Sequence, residues 1–509
     1  MKIKEILKQN VLYPIEEAGF KAYFVGGCVR DAIIGIEPHD YDICTDATPE
    51  DLHKIFRKFS NVSDNSEPFG VTMPLIEMND GHLEEIEIAT LRKDITKGRH
   101  PKIEFTKSVA EDASRRDFTI NAIFEDVDGN IIDPVGGVED INNKTLRFVG
   151  DMNERLDEDP LRLFRAIRFM SKTGFMPSFS AMDLDIAACR LLDANRFEEV
   201  SKERMLKEVE GIFGGKHFDF VFEEFFWASQ IDTLIGMRPI IDSLMTCEQS
   251  FKWHAEGAWI ERKDGTGISV TKPEDLKDFA KLVSHGNAWD HTYFVMMRMF
   301  DILNEAGVED THKRFLMMMA AFCHDIGKPI AAKKGEVKHN TLEFNGVTIV
   351  EDIPRVVTHD IDGEIPAFEF CKQLGMTNKD CDFISQMTLK HMRAHRISEM
   401  KSKARIWKFV QWKHFDELCL LAQADEEACV KTFTDEWEGI MAAVRKPDIW
   451  KLHETPLPTP VINGKVLIEK GFKPGPKFKK AIDHAFEMQI DKNCTDADTL
   501  IKKFIKDML

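Results

Sequence analysis

The ten cysteines of this 509-residue chain include no Cys-x-x-Cys pair and follow no regular spacing. That argues against a disulfide framework or a zinc ribbon, and the thiols read as reduced, cytosolic ones. Long apolar runs are missing too. The longest, Phe315 to Cys323, is far short of the about 20 residues a membrane-spanning helix needs. The opening MKIKEILKQNVLYPIEEAGF is broken by charges and a proline, so it does not read as a signal peptide. A cytoplasmic protein with no membrane partner is expected. Positive charge is short as well, with 68 Lys and Arg against 87 Asp and Glu, a formal charge of −19. This excludes indiscriminate nucleic-acid binding but not an RNA substrate met by local clusters. Arg115-Arg116, Arg162/Arg165/Arg168 and the lysines from Lys465 to Lys480 are such clusters. Internal repeats and low-complexity tracts are also absent.

What is present is a globular composition, 43% hydrophobic and 30% charged, on a chain long enough for about three to five domains or subdomains. Up to about residue 150, AYFVGG, YDICT, TMPLIEM and EEIEIATL read as strands, while LHKIFRKF and the segment Ser108 to Ala122 read as helices. After Asp159 strand signals nearly vanish. PLRLFRAIRFMSK is an amphipathic helix with Asp159 placed to cap it and Pro160 at its first position. A further helix is expected from about Ser201 to Phe213. Residues 259–286 read as an insertion, and Pro456 to Lys465 as a link to a last small unit.

The stretch YFVGGCVRDAIIGIEPHDYDICTDA places Gly26-Gly27 ahead of Asp40-Tyr41-Asp42. On a strand, residues two apart share a face, so Asp40 and Asp42 project together. Such a pair is what two Mg²⁺ ions need for in-line nucleotidyl transfer. The glycines let backbone N–H groups approach a triphosphate. Glu87 is a third carboxylate, either completing this set or pairing with Arg92. Asp117 and Asn121, read as one helical face beside Arg116, can hold a ribose hydroxyl and a phosphate. Asp159 and Arg162, one turn apart, can read a base edge: the carboxylate accepts an exocyclic amine, which CTP and ATP both offer. Alternatively, Asp159 only caps its helix and Arg162 pairs with it.

Gly26-Gly27…Asp40-x-Asp42 resembles the signature of the polymerase-beta-like nucleotidyltransferases. The fuller string resembles the class II tRNA nucleotidyltransferases, the CCA-adding enzymes, and their relatives the bacterial poly(A) polymerases. IEIATLRKD (86–94) with GRHP (98–101), RRDFTINAI (115–123), EDPLRLFRAIRF (158–169) and SKERMLKEV (201–209) follow in that family's order. The resemblance implies catalytic acids Asp40, Asp42 and Glu87. It also implies a nucleotide site of Gly26, Gly27, Arg30, Arg115, Arg116, Asp117, Asn121, Asp159, Arg162 and Arg165. The base-template helix would begin at Asp159, with SKERMLKEV buttressing it.

A second signature follows an apolar helix. Cys323-His324-Asp325-Ile326-Gly327-Lys328 places an imidazole beside a carboxylate, a pair able to share one divalent metal. His291 precedes it; His359, His391, His395 and Asp425 follow. The ordered set His291…His324-Asp325…Asp425 resembles the HD-domain metal phosphohydrolases, which implies a divalent transition metal there, with His359 and His391 as further ligands. Gammaproteobacterial-type CCA enzymes carry such a domain with phosphatase and 2′,3′-cyclic phosphodiesterase activities. PVINGKVLIEKGFKPGPKFKKAID, near the C-terminus, resembles the tail unit of CCA enzymes, whose lysines would meet the tRNA backbone.

The expected fold is therefore α+β: a polymerase-beta-like nucleotidyltransferase head (1–150) and an all-α remainder. The remainder divides into a neck with the template helix (151–215), a helical body with an insertion (216–286), an HD-type domain (287–430) and a tail (431–509). The expected activity is CCA addition to tRNA from CTP and ATP, joined by phosphohydrolysis. Poly(A) polymerase shares nearly every motif. A protein uridylyltransferase with an HD uridylyl-removing domain has the same order but lacks RRDFTINA and EDPLR. A non-catalytic RNA-binding scaffold is the third alternative.

Overall fold

A computed structural model describes residues 3–38, 40–59, 69–78, 81–96, 102–247, 259–261, 267–269, 287–335, 337–344, 347–354, 356–428 and 440–505. It divides into two compact units, Met1–Ile235 and Gly236–Leu509, so the break falls inside the expected body segment. The GRHP stretch lies outside the described residues, as does most of the expected insertion, of which Trp259–Glu261 and Gly267–Ser269 form a two-stranded sheet.

The first unit is built on a six-stranded sheet. Its strands are β1 (Ala22–Val25), β2 (Ile43–Thr45), β3 (Val71–Thr72), β4 (Ile88–Thr90), β5 (Phe124–Asp126) and β6 (Ile131–Ile132), ordered β6-β5-β1-β2-β4-β3. β1 runs antiparallel to β2 and β5. β2 runs parallel to β4 with Ile43 opposite Ile88, which sets Asp42 and Glu87 at matching positions just before their strands. Helix α1 (Gly27–Ile34) starts directly after β1.

Three readings need correction. The acids do not lie on a strand, because β2 begins only at Ile43. The segment is anchored otherwise: the Tyr41 and Phe24 rings meet at 5.6 Å between centres, and the Asp42 carbonyl accepts the Val25 N–H at 3.0 Å. Ser108 to Ala122 is not one helix. Helix α2 (Val109–Ser114), capped by Ser108, stops at Arg115, and a 3₁₀ turn, Thr119–Asn121, follows. Phe118 interrupts it by burying fully against Phe148 and Phe169, at 4.8 and 5.3 Å between ring centres. Each such phenylalanine is worth about 1.5–3 kcal/mol, more than one further helical turn. LHKIFRKF is helical only as far as Ile55, in a helix from Pro49.

Helix α3 (Leu161–Thr173) buries Leu163, Phe164, Ile167 and Met170 on one stripe, and α4 (Lys202–Phe213) packs against it.

The second unit packs α5 (Ala288–Glu305), α6 (Thr311–Cys323), α7 (Lys328–Ala332), α8 (His359–Leu374), α9 (Asn378–His395), α10 (Lys403–Val410) and α11 (Phe415–Glu427). From Phe315 to Cys323, α6 is buried except for Leu316, which is half-buried, as befits its apolar run. The near-absence of strands after Asp159 is overturned by an antiparallel hairpin, Val337–Phe344 with Val347–Pro354. Its sequence signal was the Asn345-Gly346 pair between runs of alternating residues. At the end of the unit, α12 (Lys477–Asp491) closes a small core of Ile462, Leu467, Ala481, Ala485, Leu500 and Ile505. Among the described residues no helix is long and apolar enough to cross a membrane.

Candidate functional site

At the end of β1 the chain turns into α1 through Gly26, whose φ of 75° is open to glycine at little cost. A Cβ there would also lie 3.5 Å from the Asn121 carbonyl and 3.7 Å from Asp42 Oδ2. Gly27 has no such demand: a Cβ would meet only Arg30 Nη2, at 3.8 Å.

Opposite this turn stand Asp40, Asp42 and Glu87. Dehydration in the packed cleft raises the Asp42 carboxyl, although its surface stays open to solvent; Arg116 opposes the shift and Asp40 adds to it. Glu87, likewise open to solvent at its surface, is raised by dehydration from its packed surroundings and then by the charge of Asp42. Carboxylates gathered about Asp42, with Asp40 and Glu87 each coupled to it and all offering only oxygen, fit a hard cation such as Mg²⁺.

Around the acids runs a chain of buried polar contacts. Arg30, only 3% exposed, donates Nη1–H to Asn121 Oδ1 at 2.7 Å. Asn121 donates to Asp117 Oδ1 at 3.3 Å, and Asp117 Oδ2 accepts from Arg165 Nε at 2.7 Å. Burial opposes charge on Asp117, but Arg165 holds its carboxyl below the usual range. Arg165 and Arg168 both reach Glu208 on α4, at 3.8 and 2.6 Å. Asp117 and Asn121 thus lie together as expected, through a turn rather than a helical face.

Arg115 and Arg116 share a residue that sequence reasoning missed. Asp112, 1% exposed, accepts from Arg115 on Oδ1 at 2.7 Å and from Arg116 on Oδ2 at 2.9 Å. The available signal was its spacing, three and four residues before the pair. Burial opposes its ionisation, yet Arg116 and then Arg115 hold the carboxyl below its ordinary value. A carboxyl lowered in the folded state adds stability that is complete above its unfolded value of about 3.9 and lost as pH falls through the folded value. Asp112→Asn should therefore cost about 2–4 kcal/mol at neutral pH. The gap between the two proteins' thermal midpoints should narrow below about pH 4; a gap independent of pH would contradict this assignment.

Asp159 and Arg162 stand one turn apart but take different partners. Asp159 Oδ1 accepts the Leu161 N–H at 3.1 Å, a cap to α3, and Oδ2 accepts from Arg204 at 2.7 Å. Arg162 donates to Glu158 Oε2 at 2.5 Å and to the carbonyls of Arg155 and Arg115 at 2.9 and 2.8 Å. Arg204 lies in SKERMLKEV, so that helix bonds the residue it was expected to buttress.

In the second unit the structure gathers all the expected metal-binding side chains. His291, His324 and Asp425 form one group; Asp325, His359 and His391 form another. Asp325 lies between them: Oδ2 is 3.1 Å from His324 Nε2 and 3.7 Å from His291 Nε2, while Oδ1 is 3.2 Å from His359 Nε2 and 3.9 Å from His391 Nε2. Nδ1 of His324, His359 and His391 each faces a backbone carbonyl, Ala321, Val356 and Thr388, at 2.7, 2.5 and 2.6 Å. Those bonds fix the tautomer that aims the Nε2 lone pair inward. Burial lowers His291 and pushes His391 down to about 3, keeping both imidazoles neutral as metal binding requires. Nitrogen and carboxylate donors together fit a divalent transition metal. Lys328 salt-bridges Asp325 Oδ2, and His395 bonds Asp425 Oδ2 at 2.8 Å. Backbone crossing sets the spacing: a Cβ on Gly327 would fall 2.1 Å from the His359 carbonyl and 2.5 Å from Gly363 N.

Residues 22–147 match the poly A polymerase head domain. A CCA-adding enzyme of Bacillus pumilus is 35% identical over 245 residues, which is 48% of this chain and 58% of that protein. One from Leuconostoc citreum is 40% identical over 212 residues, 41% of this chain and 49% of that protein. The chain thus spans 49% to 58% of the length of these relatives. Among solved structures, the Bacillus stearothermophilus CCA-adding enzyme in complex with CTP superposes with a TM-score of 0.51 at 22% identity, covering 100% of this chain and 97% of that one. The Thermotoga maritima CCA-adding enzyme complexed with tRNA gives 0.51 at 17% identity, with the same coverage. The fold is that of a polymerase-beta-like nucleotidyltransferase head with a mostly helical remainder.

Proposed function

We propose that the protein adds C, C and A to the 3′ end of tRNA from CTP and ATP without a nucleic-acid template. The observation that carries this reading is the buried chain Arg30–Asn121–Asp117–Arg165, which ties the glycine turn beside the acids to α3, the helix that Asp159 caps. The CCA-adding enzymes similar to this chain, solved with CTP and with tRNA, support the choice of substrates.

Asp40, Asp42 and Glu87 would hold Mg²⁺, which when bound supplies charge neutralisation at the attacking hydroxyl and the leaving pyrophosphate. Backbone N–H groups at the start of α1 and the Arg116 guanidinium meet the triphosphate. Asp117 and Asn121, held by Arg165 and Arg30, orient the sugar. Asp159 keeps lone pairs beyond those used by Leu161 and Arg204, enough to accept an exocyclic amine. Cytosine and adenine present that amine; uracil and guanine do not present it in the same place. Arg204 holds the carboxylate in position for this choice. Asp159→Ala should therefore blur discrimination of CTP and ATP against UTP and GTP by about tenfold or more, the scale of one good polar contact to a base. It should weaken tRNA binding less. Misincorporation measured with each labelled nucleotide checks this, and unchanged discrimination would remove Asp159 from the template.

The decisive assay gives the protein tRNA lacking CCA together with labelled nucleotides. Arrest after CCA supports the proposal; extension into a long A tract makes the protein a poly(A) polymerase instead.

A second reading concerns the other unit. The two ligand groups meeting at Asp325 favour a dinuclear metal-dependent phosphohydrolase, with His291, His324 and Asp425 on one side and His359 and His391 on the other. The metals would supply Lewis acidity and a hydrolytic nucleophile. Lys328 would offer a cation to the substrate phosphate.

A further inference from the structure

Helix α9 carries two histidines one turn apart on one face, His391 and His395. His391 belongs to a ligand group with Asp325 and His359. His395, the last residue of the helix, belongs to neither group among the described residues. Its ring reaches across to α11 instead, where Nε2–H donates to Asp425 Oδ2 at 2.8 Å. Both side chains are largely covered, at 13% and 12% exposed.

The ring is held unlike those of the ligands. In His324, His359 and His391, Nδ1 faces the carbonyl three residues earlier, which turns Nε2 toward the centre. His395 makes no such bond among the described residues, and its Nε2 meets a carboxylate, which only accepts. Asp425 is in turn the one carboxylate of the His291–His324 group. Its two oxygens are divided. Oδ1 lies 3.0 Å from His291 Nε2, while Oδ2 is taken by His395 from the opposite helix. A carboxylate anchored at neither oxygen can turn about its Cβ–Cγ bond or offer both oxygens to a cation. Anchored at Oδ2, this one has only Oδ1 to give.

We infer that His395 is a positioning residue of the metal centre: without binding metal, it holds Asp425 so that Oδ1 alone serves the ion beside His291 and His324. The inference rests on the metal-binding part of the reading proposed above. Loss of this kind of outer partner weakens metal binding by about 10–100-fold. The effect falls on one ion only. His359, His391 and Asp325 Oδ1 share no contact with His395 and keep their arrangement. Helix α9 therefore serves both sides of the centre, one as a ligand through His391 and the other as an orienting donor through His395.

The test uses full-length protein with Mn²⁺ alone as the probe, and reads metal content after dialysis against a chelator. His395→Ala and His395→Phe both remove the donor, and the phenylalanine keeps the bulk of the ring should the alanine variant not fold. His395→Gln keeps an N–H near the place of Nε2. The alanine and phenylalanine variants should bind one of the two ions about 10–100-fold more weakly, and His395→Gln should stay close to the native protein. Joining His395→Phe to His359→Gln shows which ion is lost: the double variant should retain none where His359→Gln alone retains one. Electron paramagnetic resonance should change from the spectrum of a coupled Mn²⁺ pair to that of an isolated ion. A bond that only supports the fold would lower thermal stability without favouring either ion. Native retention in the phenylalanine variant overturns the inference, as does equal weakening of both ions or equal loss in the phenylalanine and glutamine variants. If the native protein itself retains no Mn²⁺, the metal reading fails and the role of His395 with it, a result distinct from retention that ignores His395.

Discussion

Replacing Asp40 and Asp42 together with asparagine abolishes nucleotide incorporation, with an expected loss of at least about 10⁴-fold, or roughly 5 kcal/mol of barrier. Asparagine keeps shape and polarity, so the turn at Gly26 and the Tyr41–Phe24 contact should survive. What disappears is the ability to hold a hard cation. In the native cleft the Asp42 carboxyl is raised by dehydration and by Asp40, and Glu87 is raised in turn, with Asp42 contributing. Those three groups gain most from a cation, and Glu87 alone is too few ligands to retain one. Labelled CTP and tRNA lacking CCA provide the measurement. A fully active double variant would sink the nucleotidyl-transfer mechanism.

The second large effect is expected in the other unit, from one residue. Asp325 presents one oxygen to the His291–His324 side and the other to the His359–His391 side. Asp325→Ala should empty both positions, taking the metal content of protein purified with Mn²⁺ or Fe²⁺ from two ions per chain, as the two ligand groups imply, to nearly none. His359→Gln should spare the His291 side and leave about half of the metal, since it touches one group only. Elemental analysis reads this without reference to activity. Equal retention by the two variants would mean that Asp325 does not bridge. The phosphohydrolysis proposed for this unit should fall below detection in the alanine variant, since each metal contributes several kcal/mol of charge stabilisation.

How far the sequence alone reaches depends on the range of the contacts involved. Asp40 and Asp42 were legible as acids one residue apart, and Asp40 does act on the Asp42 carboxyl although no strand contains them. His324 and Asp325 were legible as neighbours. Asp112 and Arg204 were not, although each bonds an expected nucleotide-site residue. Arg204 meets Asp159 across 45 positions of sequence. Asp112 lies close to Arg115 and Arg116, but the broken helix at Arg115 hid it, and only the burial of Phe118 explains that break. The division of Asp325's two oxygens between two histidine groups is likewise a product of packing, because His291 and Asp425 are 134 residues apart. The hairpin from Val337 was hidden for another reason: charged residues interrupt its apolar pattern, leaving Asn345-Gly346 as the main local signal.

The crossing of Gly327 and Gly363 acts mechanically. Backbones there meet with no room for a Cβ, so the gap between the two ligand groups is gauged by main chain alone. Main chain has none of the rotamer slack of a side chain, and it keeps the same length whichever ion is present. A residue with no functional group thereby acts as the ruler of the centre: it determines how far apart two charges sit before any metal arrives.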